Sequence, residues 1–170
     1  MIITLIAVAA LSQFPGDAKV TNLGDGYSRV QTPSYVIEVP TGWDVSEETS
    51  WGQRNASPKG AEGELGVMTA PPGRQTWDQL YQTSLYFILR ESNGTPTPYR
   101  LGRTASGLET ASFEVLDASG FAARRFLLVR GNDGRLLALS VRVPSQTANK
   151  EWSKHFERMS STARFLPESK

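Results

Sequence analysis

The chain has 170 residues, 39% of them hydrophobic and 21% charged, with a formal net charge of +1 from 18 Lys plus Arg against 17 Asp plus Glu. A chain of this size and balance reads as one ordinary domain, able to bury about 70% of its unfolded surface without a metal or a disulfide to hold it. Near-neutral charge supplies no long-range field for nucleic acid or an anionic membrane, and the lack of cysteine excludes disulfides, thiolate chemistry, Fe–S clusters and cysteine-based zinc sites.

Ile2 to Leu11 is an almost unbroken apolar run, followed by Ser12, Gln13, Pro15 and Gly16. It reads as the h-region of a signal peptide, too short to span a bilayer, with Gly16 and Ala18 as the small residues of a cleavage before Lys19. Residues 1–18 are therefore expected to be a leader and 19–170 a single domain, exported to the periplasm or the extracellular space without stable membrane insertion. No Lys or Arg precedes the apolar run, and a buried first strand is the competing reading.

Gly26 to Gln31 and Tyr35 to Val39 read as a hairpin turning at Thr32-Pro33-Ser34. Tyr35, Ile37 and Val39 share one face, and Pro40-Thr41-Gly42 ends the strand and swings Trp43 back toward the core. Ser46 to Gly63 is polar and Gly-rich and reads as a loop excursion, before a strand over Glu64 to Thr69. Thr76-Trp77-Asp78-Gln79 has the form of a capping box opening a helix that runs to Glu91 and stops at Asn93-Gly94. Its stripe of Trp77, Leu80, Tyr81, Ser84, Leu85 and Ile88 fits a sheet, and Phe87 and Leu89 widen it, which predicts deep burial on more than one side.

Four strands are expected next, over Tyr99 to Arg103, Glu109 to Leu116, Phe121 to Arg130 and Arg135 to Val143, with a hairpin turn at Asn132-Asp133-Gly134. Leu137, Leu139, Val141 and Val143 lie on one face of the last. A final helix over Ala148 to Ser160 carries the apolar seam Trp152, Phe156 and Met159. Strands, helix, strands, helix in this order predict an α+β fold, an antiparallel β-sheet meander covered by two main helices.

On that element order, the Pro40-x-Gly42-Trp43 turn, the helix opened by Thr76-Trp77 and the ending Ser160-Ser161-Thr162-Ala163-Arg164-Phe165, the chain resembles the PsbP-like superfamily between Tyr35 and Phe165. That superfamily includes the photosystem II extrinsic protein PsbP, a Ran-binding import factor and bacterial exported proteins and chaperones. The resemblance implies an α/β/α sandwich and a non-enzymatic binding or assembly role. Asp44-Val45-Ser46 is similar to the Ran-binding branch, but Glu47-Glu48-Thr49-Ser50-Trp51 stands where that branch has an acidic Pro-Asp motif, so no Ran-binding residue is carried over.

The residues themselves give little catalytic chemistry. His155 is the only histidine; it edges the seam of the last helix beside Trp152 and Met159, where a structural role is expected, and one His makes no zinc site. Glu109 and Glu114 differ by an odd number and face opposite sides of one strand, so they do not form a carboxylate pair. Arg124, Arg125, Arg130, Arg135 and Arg142 are expected to pair across the sheet with carboxylates such as Glu109, Glu114 and Asp117. For binding, the candidates are Trp51 and Arg54, side chains that anchor interfaces, set in a loop too polar to form a core.

The function expected from the sequence is thus that of an exported non-catalytic protein, with no cofactor and no metal, binding a partner protein or a small ligand. Two alternatives stand beside it: a secretion-associated chaperone for an apolar client segment, and a hydrolase whose site sequence order hides.

Overall fold

The computed structural model describes residues 18–49, 52–91 and 93–167. The expected leader over residues 1–18 lies outside them except for Ala18. Twelve strands and two helices follow in chain order among the described residues: β1 (Lys19–Asn22), β2 (Tyr27–Gln31), β3 (Tyr35–Pro40), β4 (Asp44–Val45), β5 (Gln53–Ser57), β6 (Glu64–Ala70), α1 (Trp77–Glu91), β7 (Thr95–Pro96), β8 (Arg100–Arg103), β9 (Glu109–Leu116), β10 (Ala122–Arg130), β11 (Leu136–Arg142), α2 (Asn149–Thr162) and β12 (Arg164–Phe165). No helix among the described residues is long and apolar enough to cross a membrane.

The α+β architecture is as expected, but the strands divide between two antiparallel sheets. The small one runs β1-β2-β3-β12 and the large one β4-β5-β6-β11-β10-β9, with β7 and β8 both on the outer side of β9. One face of the large sheet, with Leu65, Val67, Leu137, Leu139 and Val141, packs against Val30, Tyr35, Ile37 and Val39 of the small sheet and against Trp152 and Met159 of α2. The other face, with Ala111, Phe113, Val115 and Leu128, lies under Trp77, Leu80, Tyr81 and Ile88 of α1. Strand alternation sorts side chains between these two cores, so neighbouring residues of β9, β10 and β11 serve different layers.

Local chemistry fixes the element ends. The Gln79 amide donates to Thr76 Oγ1 at 3.2 Å, and the Thr76 amide donates to Gln79 Oε1 at 2.8 Å, the reciprocal pair of a capping box. Gly134 has φ of 83° in the β10–β11 turn, where the Gly134 amide donates to the Gly131 carbonyl at 3.0 Å. Gly63 has φ of 97°, and a Cβ there would lie 2.5 Å from the Trp152 ring, so both backbone and packing require glycine.

Two expectations need correction. Ser46 to Gly63 is not a continuous loop, because β5 pairs with β6 inside it and turns Arg54 and Ala56 inward. Strand alternation there was hidden because one inward side chain is charged and the other is only a methyl. In α1 the wide apolar surface does not mean burial on several sides: only Ile88 is fully buried, while Phe87 is 58% exposed. The helix packs on one sheet face and nothing among the described residues covers its outer side. In β3 every residue is buried, including Val36 and Glu38, because the strand lies inside its sheet between β2 and β12.

Candidate functional site

Trp51 lies outside the described residues, so the structure says nothing of its contacts. Arg54 is 6% exposed and points into the gap between the sheets. It donates to the Ser46 carbonyl and lies 3.8 Å from the Glu48 carboxylate. Burial pushes the nearby Tyr35 hydroxyl up to about 12, against the opposing pull of the Arg54 charge. Arg54 thus holds the segment from Ser46 to Glu48 from within and does not present its guanidinium to solvent. An arginine inward on a short polar strand is indistinguishable in sequence from one on a loop surface.

His155 is half-buried among aromatic rings. Its Nδ1 is 3.1 Å from the Tyr27 hydroxyl and its Nε2 is 3.6 Å from Glu151. Its ring stands edge-on to Trp43 at 5.3 Å, and Trp43 in turn lies 4.9 Å from Trp152. The turn at Pro40 does return Trp43 to the core, as expected. Burial lowers the His155 pKa, and Glu151 partly opposes that shift.

A charged network ties the small sheet to α2. Glu38, with its side chain 5% exposed, accepts from Arg29 at 3.2 Å and from Arg158 at 2.7 Å, and Arg158 also reaches Asp25 at 2.8 Å. Arg158 sits over the Tyr27 ring at 5.0 Å. Elsewhere the expected cross-strand pairs form: Arg125 with Glu114 at 3.3 Å and Arg130 with Glu109 at 3.8 Å. Asp117 does not join them. Its Oδ1 accepts from Ser119 and Phe121 and closes its own turn, and the Ser119 hydroxyl bond holds its carboxyl below the usual range. Arg135 pairs within its turn with Asp133 and donates to the Leu166 carbonyl at 2.9 Å.

Among the described residues, no group of three or more His, Asp or Glu side chains gathers as a metal site would require. What stands out is apolar. Tyr86, Phe87 and Leu89 on the outer side of α1 are 55%, 58% and 40% exposed. The Tyr86 and Phe87 rings meet edge-on at 5.4 Å. Arg90 lies 5.5 Å from the Tyr86 centroid and donates to its hydroxyl at 3.3 Å. Aromatic residues with an arginine, grouped on one exposed helix turn, are the side chains enriched at protein interfaces. The sequence signal was there, in Phe87 and Leu89, but pointed to burial in this chain's own core.

A second feature is a cleft of about 260 Å³ between α2 and the β7–β8 edge, lined by Thr97, Arg100, Arg125, Leu127 and Phe156 among others. Arg125 crosses to α2, donating to Ser153 Oγ at 2.6 Å and to Asn149 Oδ1.

No protein-family model matches the chain, and no curated protein does. Among solved structures, that of cyanobacterial PsbP (CyanoP) from Synechocystis sp. PCC 6803 matches with a TM-score of 0.56 and 14% identity. The match covers 89% of this chain and 94% of that one. At that identity the likeness is one of fold, and it extends over nearly the whole of both chains.

Proposed function

The chain has a PsbP-like fold, and from that premise we propose that it is an exported, non-catalytic binding or assembly protein that engages a partner protein. The observation that carries this reading is the exposed group Tyr86, Phe87, Leu89 and Arg90 on α1. Water contact with three large apolar side chains on one helix end is unfavourable, by about 25 cal/mol for each Å² of apolar surface, and a partner that covers them recovers that term. Trp51, expected from the sequence as an interface anchor, is a second contact residue in this reading. Export rests on the apolar run Ile2 to Leu11 and the small residues before Lys19.

The test is affinity purification of the protein from its native envelope fraction with quantitative mass spectrometry, comparing wild type with Tyr86→Ser/Phe87→Ser and with Trp51→Ala. A partner present with wild type and depleted with the α1 variant supports the reading and locates the surface. The same partner recovered equally with both variants, or no specific partner at all, rejects it. Because Tyr86 and Phe87 are mostly exposed, the double variant is expected to change the unfolding free energy by no more than about 0.5 kcal/mol per substitution, so a loss of binding is not a loss of fold.

A further inference from the structure

We infer that the outer edge of β8 is a docking site for an extended acidic segment of a partner protein, added as a strand with a carboxylate side chain at Arg100. Among the described residues β8 pairs with β9 alone, and its four residues are exposed. The Thr104 amide donates to the Leu108 carbonyl at 2.9 Å where the two strands join. In an antiparallel ladder bonded residues alternate, which assigns Gly102 and Arg100 to β9 and turns the amides and carbonyls of Leu101 and Arg103 outward. These outward groups are a template for another strand.

The side chains along that edge select the occupant. Leu101 is 63% exposed, an apolar contact offered beside free backbone groups. Arg100 faces the cleft of about 260 Å³ and has no ion-pair or hydrogen-bond partner among the described residues, unlike Arg103, which lies 3.9 Å from Glu109. Deeper in the same cleft, Arg125 Nε is buried without a hydrogen-bond partner, although Glu114 lies 3.3 Å away. The cleft therefore offers a free guanidinium at its rim and the partly buried apolar surface of Leu127 and Phe156 within. A strand alternating small or apolar residues with Asp or Glu sets its carboxylates on the cleft side at Arg100 and its other side chains on the opposite face beside Leu101. This edge is separate from the exposed group on α1, and the inference does not rest on that surface.

The test is fluorescence anisotropy of the purified protein against labelled peptides that alternate Thr with Glu or Thr with Lys. The acidic peptide is expected to bind and the basic one not. Arg100→Glu is expected to weaken the acidic peptide about tenfold or more, through loss and reversal of one ion pair. Leu101→Pro removes an outward amide while leaving the β8–β9 ladder its bonds, and is expected to weaken binding similarly. Methylating alternate amides of the peptide probes the same bonds with the protein unaltered, and binding is expected to be lost in one of the two methylation registers. Equal binding of both peptides, an unchanged affinity in Arg100→Glu, full binding in both methylated registers, or complete displacement by free glutamate at equal carboxylate concentration overturns strand addition.

Discussion

Glu38 and His155 are two polar side chains held where the small sheet meets α2. Glu38 is shielded from water between Arg29 and Arg158, so Glu38→Ala strands two guanidinium groups beside a small cavity. Breaking a fully buried pair costs about 3–5 kcal/mol; both arginines keep access to solvent here, which brings the expected loss in urea denaturation down to about 2 kcal/mol. For His155, burial lowers the folded-state pKa below that of the unfolded chain, against the pull of Glu151 and with that of Lys154. The unfolded chain then binds the proton first, so stability is full above about 6.5 and falls as the pH drops through the folded value. His155→Phe is expected to flatten that acid limb in thermal melts between about pH 7 and 5; an unchanged slope would assign it to other groups. Of the two binding candidates, Arg54 was legible as an unusual residue but not as a buried one. Its partners, Ser46 and Glu48, come from a segment whose course depends on β5.

At the scale of elements, α1 shows how much a short motif carries. The Thr76 and Gln79 side chains satisfy amides that would otherwise face water at the helix start, and Thr76→Ala is expected to lower stability by about 1 kcal/mol in chemical denaturation. Start, end and packed face of this helix were all readable, because capping and period depend on neighbours within a few residues. The meaning of Phe87 and Leu89 was not, since a wide apolar stripe looks alike whether a second layer of the same chain or a partner covers it. The hairpins were readable for the same local reason: Asn132-Asp133-Gly134 turns the chain where a positive φ is needed. β5 escaped notice because only pairing with β6 makes Gln53 to Ser57 a strand.

For the molecule as a whole, the large sheet joins two cores, and this predicts cooperative unfolding. Leu139 packs in the layer shared with the small sheet and α2, and Phe113 in the layer under α1. Leu139→Ala and Phe113→Ala are each expected to cost about 3 kcal/mol or more, and each to shift one common unfolding transition, whether followed by near-UV circular dichroism or by calorimetry. Two separated transitions would mean that the layers unfold independently.

By itself the sequence determined the strands of alternating pattern, both helices with their seams, the cap of α1, the turns, and the α+β class, all of which depend on residues close in the chain. It also placed Glu109 and Glu114 on the strand beside the arginines of β10, while the register that sets Glu114 against Arg125 came from the folded hairpin with its irregularity between Ala122 and Arg124. Only the tertiary structure decided that the N-terminal hairpin takes β12 into a separate sheet and that Arg54 and Glu38 turn inward. It alone showed that, among the described residues, nothing covers the outer side of α1 or the edge of β8. These outcomes depend on which surfaces distant segments bury together, and burial is a property of the packed chain that no local pattern contains.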